Sequence, residues 1–73
     1  MDYADRIVSL RKERGLTQKQ LASAVNLSEV GIQNYERRTR KPAYDALVSL
    51  ADLFNVSLDY LVGRTDNPNV LRN

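Results

Sequence analysis

Apolar residues recur along this 73-residue chain at helical spacing, in short runs separated by turn-forming residues. In the first run Tyr3, Ile7 and Leu10 fall at i, i+4 and i+7 with Val8 beside them, which predicts a helix over 2–14. Gly15 follows where a left-handed C′ residue belongs. Thr17 and Gln20 have the spacing of a capping box, so a second helix opens at Thr17 with Leu21, Ala22 and Val25 on its inner face. Asn26 tolerates the left-handed region and ends it. Ser28 then suits the N-cap of a third helix reaching about Arg37. Ile32 and Tyr35 point inward from it, and Glu29, Val30, Gln33, Asn34 and Arg37 outward. Gly31 weakens this helix by roughly 1 kcal/mol relative to Ala, but it lets another backbone or a ligand come close.

Arg38-Thr39-Arg40-Lys41 reads as a basic loop. Pro42 pushes Lys41 into an extended conformation and predicts a fourth helix starting with the proline at or near N1. Its stripe is Leu47, Leu50, Ala51 and Phe54, extended by Ala43 and Ala46, and Asn55 ends it. Ser57 caps a last short helix carrying Leu58, Leu61 and Val62, and Gly63 closes it. Residues 64–73 are polar and aperiodic, which predicts a flexible C-terminal tail. The expected organisation is therefore all-α, with one domain over 1–63 and a tail over 64–73.

Composition narrows the chemistry. The length suits one domain with a small core, so dimerisation or well-packed helices must support it. The chain has no cysteine and no histidine, which removes disulfides, thiolate zinc sites and the commonest general base. Its serines and aspartates have no His, Cys or paired-carboxylate constellation around them, and its three glycines are scattered. An enzyme is not expected, nor a cofactor or a metal. The apolar runs are too short to cross a bilayer, and Met1–Asp5 is acidic without an apolar h-region, so a cytoplasmic protein without a membrane partner is expected.

The net charge of +2 hides an uneven distribution. Residues 1–41 carry nine Lys/Arg against five Asp/Glu, whereas residues 42–73 carry two against four. A basic half joined to an acidic half suggests one face made for a polyanion. On charge alone, a solvated charge run accounts for it equally well.

Helices 2 and 3, joined by a tight turn and with a polar outer face on the second, fit the physical description of a helix-turn-helix. Ala22 is small enough to let the two helices cross closely. Helix 3 then offers Ser28, Glu29, Val30, Gln33 and Asn34 to a major groove. Asn and Gln pair bidentately with adenine, Glu accepts from the cytosine amine, and Val meets a thymine methyl. Plainer readings stand beside these: an acid such as Glu29 in a first helical turn also suits the helix dipole, and one exposed Val30 needs no explanation.

The ordered set Leu10-Arg11, Gly15-Leu16-Thr17-Gln18, Leu21-Ala22, Ser28, Ile32, Tyr35-Glu36, Arg40-Lys41-Pro42, Leu50-Ala51 and Val56-Ser57-Leu58-Asp59-Tyr60-Leu61 resembles the phage-repressor and Cro-like (XRE) helix-turn-helix family over about 5–63. The resemblance implies a five-helix, lambda-repressor-like domain that binds double-stranded DNA through helix 3, usually as a two-fold dimer. By position, Gln18 resembles the family's phosphate-anchoring glutamine, and Ser28, Glu29, Val30, Gln33 and Asn34 fall on base-reading positions. Arg38, Arg40 and Lys41 fall in the loop that flanks the DNA backbone; Arg37, outward on helix 3, is the start of the same Arg37-to-Lys41 cluster and is counted with them as a DNA contact. Arg11 and Glu36 resemble an internal ion pair. Two departures stand out: Asn26 and Arg38 occupy positions where the family usually has Gly. Arg38 held at positive φ would cost on the order of 1 kcal/mol or more. The expected function is a sequence-specific transcriptional repressor, homodimeric through its C-terminal helix. The rival is a protein-interaction module of antitoxin or adaptor type on the same fold.

Overall fold

A computed structural model describes residues 1–69. Its helices are α1 (Tyr3–Glu13), α2 (Gln18–Ala24), α3 (Glu29–Arg37), α4 (Tyr44–Phe54) and α5 (Leu58–Leu61), with no strand among the described residues. Side-chain caps start four of the five. Asp2 and Asp5 form a capping box on α1, and Thr17 and Gln20 form one on α2. Ser28 Oγ accepts from the Gly31 N–H at 3.0 Å, and Ser57 Oγ from the Tyr60 N–H at 3.0 Å. Each satisfies one of the orphan donors of a helix start, worth about 1 kcal/mol.

α4 is the exception. It begins at Tyr44 with Ala43 extended at the N-cap and no side-chain cap, so Pro42 lies ahead of the helix instead of at N1. Ala43 has no side-chain oxygen to cap with, and the start is defined by its carbonyl accepting from the Leu47 N–H at 3.0 Å. Among the described residues, five take positive φ: Gly15, Asn26, Arg38, Asn55 and Gly63. Gly63 is doubly constrained, because at φ +86° a Cβ there would collide with the Met1 carbonyl oxygen.

The core draws on every helix: Ile7 and Leu10, Leu21 and Ala22, Ile32 and Tyr35, then Leu50, Ala51, Phe54 and Leu61, with Val25 and Val56 from the turns. Full burial of a Leu, Ile or Phe contributes about 1.5–3 kcal/mol, and Ile7, Leu21, Ile32, Leu50, Phe54 and Leu61 are all essentially inaccessible. α2 packs on α3, α1 on both α3 and α5, and α4 on α5, so the helix-turn-helix pair is braced from behind by α1.

One buried charge had no counterpart in the sequence reading. Arg6 is only 6% exposed. Its guanidinium carbon lies 3.8 Å from the centroid of the Tyr60 ring, within cation–π range. Its Nη2 donates to the Thr65 carbonyl at 3.2 Å and to Asp66 Oδ1 at 2.9 Å. The Ser57 N–H donates to the Pro68 carbonyl at 3.0 Å. Residues 64–69 thus lack regular structure but are fastened to α1 and to the start of α5. Residues 70–73 of the expected tail lie outside the described residues. Among the described residues, no helix is long and apolar enough to cross a membrane.

Candidate nucleic-acid interface

The angle between α2 and α3 is set by a turn that satisfies its own backbone. With Asn26 at φ 58°, the Leu27 N–H returns to the Ala22 carbonyl at 2.8 Å and the Asn26 N–H to Ser23 at 3.3 Å. Ser28 follows at once as the N-cap of α3. The outer face of α3 therefore carries exposed Glu29, Val30 and Arg37 with half-buried Gln33 and Asn34, while Ile32 and Tyr35 are buried beneath it. Ser28 sits at the edge of this face, and its oxygen is already engaged by the Gly31 N–H.

A charged network locks α3 to the rest of the domain. Glu36 receives Arg11 Nε at 2.7 Å on one oxygen and Arg11 Nη2 at 3.1 Å on the other. Arg11 Nη1 also donates to the Leu16 carbonyl at 2.9 Å. Both side chains are largely buried, at 13% and 9% exposure. Gln18 joins them, its Nε2 donating to Glu36 Oε1 at 3.0 Å. The glutamine expected to anchor a phosphate thus spends part of its amide on α3, which fixes the N-terminus of α2 against the C-terminal end of α3.

Arg38 departs furthest from its expected place. It caps α3 in the left-handed conformation, at φ 64°. Its guanidinium grips the first turn of α1: Nε to Asp2 Oδ2 at 2.6 Å, Nη2 to Asp2 Oδ1 at 2.9 Å and to Asp5 Oδ1 at 2.8 Å. The Arg38 hydrogen bond, with a smaller contribution from the Asp5 N–H, holds the Asp2 carboxyl well below the ordinary carboxylate range. Arg38 was grouped with Arg40 and Lys41 as a cation beside the DNA backbone, but here its fork is committed to α1. The reason is chemical: the Asp2 carboxylate offers a planar, bidentate partner that matches a guanidinium, and Asp5 adds a third acceptor. The other cations are differently placed. Arg37, Arg40 and Lys41 are exposed and form no ion pair among the described residues. The Tyr3 hydroxyl donates to the Arg40 carbonyl at 3.5 Å, giving the loop a second tether to α1.

Two further residues lie next to members of the sequence-based set. Lys19 is exposed beside Gln18 on α2. Thr39 Oγ1 lies 3.2 Å from both the Asn34 carbonyl oxygen and Asn34 Oδ1, and its single proton is shared between them. The signal for Thr39 was present in the sequence: the residue after a left-handed cap folds back over the last helical turn.

The surface that results is a polar helix face with Arg37, Arg40 and Lys41 at and beyond its C-terminal end, exposed and in no ion pair among the described residues. The helix-turn-helix family model matches residues 7–61. The chain is 42% identical over 66 residues to the uncharacterized HTH-type transcriptional regulator YobD of Bacillus subtilis, covering 90% of this chain and 59% of that protein. It is 39% identical over 66 residues to the HTH-type transcriptional regulator ImmR of the same organism, covering 90% and 52%. It thus spans between half and three-fifths of the length of these relatives. Among solved structures, the P22 c2 repressor protein in complex with a synthetic operator superposes with a TM-score of 0.80 at 31% identity, covering 85% of this chain and 94% of that one.

Proposed function

The chain belongs to the helix-turn-helix family matched over residues 7–61, a family of transcriptional regulators and not of enzymes, and from that premise we propose that it is a sequence-specific repressor of transcription that binds duplex DNA. α3 enters the major groove and offers Glu29, Val30, Gln33 and Asn34, with Ser28 at its edge, to base edges. Arg37, Arg40 and Lys41 neutralise phosphates near the C-terminal end of α3, and Gln18 approaches a phosphate from the start of α2. Arg38 contributes to the positive field while its fork remains on Asp2 and Asp5. The observation that carries this reading is the polar α3 face flanked by Arg37, Arg40 and Lys41, none of them paired among the described residues.

One α3 reads only a few base pairs, so the protein acts as a homodimer on a pseudo-palindromic operator, with half-sites about 34 Å apart. The seam lies at α5, away from α3. Leu61 is buried in the core there, whereas Leu58 and Val62 remain half-exposed. A groove of about 550 Å³ bordered by Tyr44, Val48 and Leu58 continues the same surface. The protein works in the cytoplasm and needs no cofactor.

The test is selection of bound sites from a random duplex library, followed by titration of the recovered site against salt. A dimer contacting about 4–8 phosphates gives a slope of log K against log salt near −4 to −7. No enriched site, or a slope near zero, overturns the proposal.

A further inference from the structure

We propose that Thr39 is a specificity-determining residue, because it fixes the orientation of the Asn34 amide and so decides which base edge Asn34 can read. The inference rests on the proposed entry of α3 into the major groove. Thr39 itself is held independently of its hydroxyl. The chain turns through Arg38 in the left-handed conformation, and the Thr39 N–H donates to the Asn34 carbonyl at 3.0 Å. That closure places Oγ1 at 3.2 Å from Asn34 Oδ1. Asn34 Oδ1 therefore faces the loop, while its Nδ2 makes no hydrogen bond among the described residues.

An unrestrained Asn pairs with adenine by accepting from N6 and donating to N7, which requires both ends of the amide to meet one base edge. With Oδ1 turned to Thr39, the end offered to the groove is the NH2. A donor alone suits guanine, whose N7 and O6 are both acceptors, or thymine O4; on adenine it reaches only N7 and leaves the N6 amine unmet, so the bidentate adenine pairing is lost. Thr39 thus converts a default adenine reader into one that favours guanine or thymine at the same position, without itself touching a base.

The experiment uses duplexes recovered with the wild-type protein, with each base pair of one half-site replaced in turn, and compares wild type, Thr39→Val, Thr39→Ser and Asn34→Ala. Thr39→Val keeps the shape and removes the hydroxyl; Thr39→Ser keeps the hydroxyl. The expected result is that wild type and Thr39→Ser prefer guanine or thymine to adenine at the Asn34 position. Thr39→Val should shift preference toward adenine by about five- to 100-fold, with affinity for scrambled duplex and the salt slope unchanged. Asn34→Ala should flatten preference at that one base pair. If Asn34→Ala flattens preference but Thr39→Val discriminates as the wild type does, or weakens every duplex alike, the role of Thr39 is overturned. If Asn34→Ala leaves preference unchanged at every position, the reading of bases by this part of α3 falls with it.

Discussion

Replacing Glu36 with Ala tests how this small domain holds its recognition helix. The side chain is 9% exposed and accepts three hydrogen bonds, two from Arg11 and one from Gln18. Its removal leaves Arg11, itself 13% exposed, with only the Leu16 carbonyl as partner. Breaking one side of a buried pair costs about 3–5 kcal/mol, because the surviving charge is uncompensated. The whole stability of a domain this size is only about 4–11 kcal/mol. At about 4–8 °C per kcal/mol, the melting temperature should fall by at least about 12 °C. Thermal unfolding followed by circular dichroism measures this directly. Glu36→Gln, which keeps an acceptor of the same shape, should lose less than Glu36→Ala. Replacing both partners with apolar residues, Arg11→Met with Glu36→Leu, should recover much of the loss, since the penalty comes from the unpaired charge. A melting temperature unchanged in Glu36→Ala would refute the argument, and so would a double variant as unstable as the single one.

The Arg38 clamp makes two further predictions. The folded Asp2 carboxyl titrates below its ordinary value of 3.8, so the folded state binds fewer protons than the unfolded one and the clamp stabilises fully above that value. The stability gap between wild type and Asp2→Asn should therefore be largest above about pH 5 and shrink as pH falls through the acid range; melting curves at stepped pH values check this, and a constant gap would contradict it. Arg38→Ala keeps the left-handed backbone cost and loses the pair, whereas Arg38→Gly loses the pair and the cost together, so Arg38→Gly should melt higher; the reverse order in parallel thermal scans would show no cost at that position. On DNA, Gln33→Ala should relax preference at one base pair per half-site by about 1–3 kcal/mol, while Arg40→Ala weakens all sequences alike, as titration against selected and scrambled duplexes would reveal. For the dimer, Val62→Asp and Leu58→Asp should weaken self-association in sedimentation velocity; both variants folded and associating as wild type would exclude α5 as the seam.

Much of the fold was legible because its punctuation is local. Thr17 with Gln20, Ser28 and Ser57 satisfy donors within their own first turns, and Gly15, Asn26, Asn55 and Gly63 stop helices by backbone preference alone. The outer face of α3 follows from helical period once Ile32 and Tyr35 are set inward. Arg6 and Arg38 were not legible in this way. An arginine in a helical pattern defaults to solvent, and nothing near Arg6 in sequence announces that Tyr60 and Asp66 will cover it. The partners of Arg38 lie at the opposite end of the basic half, so local charge counting placed it with Arg40 and Lys41. The start of α4 slipped past Pro42 because a fixed φ near −65° suits an extended residue before a helix as well as its first turn.

The fastening of residues 64–69 bears on how anything beyond them is attached. Six residues of free coil after Gly63 would let a following segment wander over about 13 Å. Arg6 beneath Tyr60, bonded to Thr65 and Asp66, and the Ser57 N–H on the Pro68 carbonyl remove that slack. The usable tether therefore begins at residue 69, from a point rigidly referenced to α1 and hence to the recognition helix. A module fused there inherits an orientation from α1 and from the start of α5.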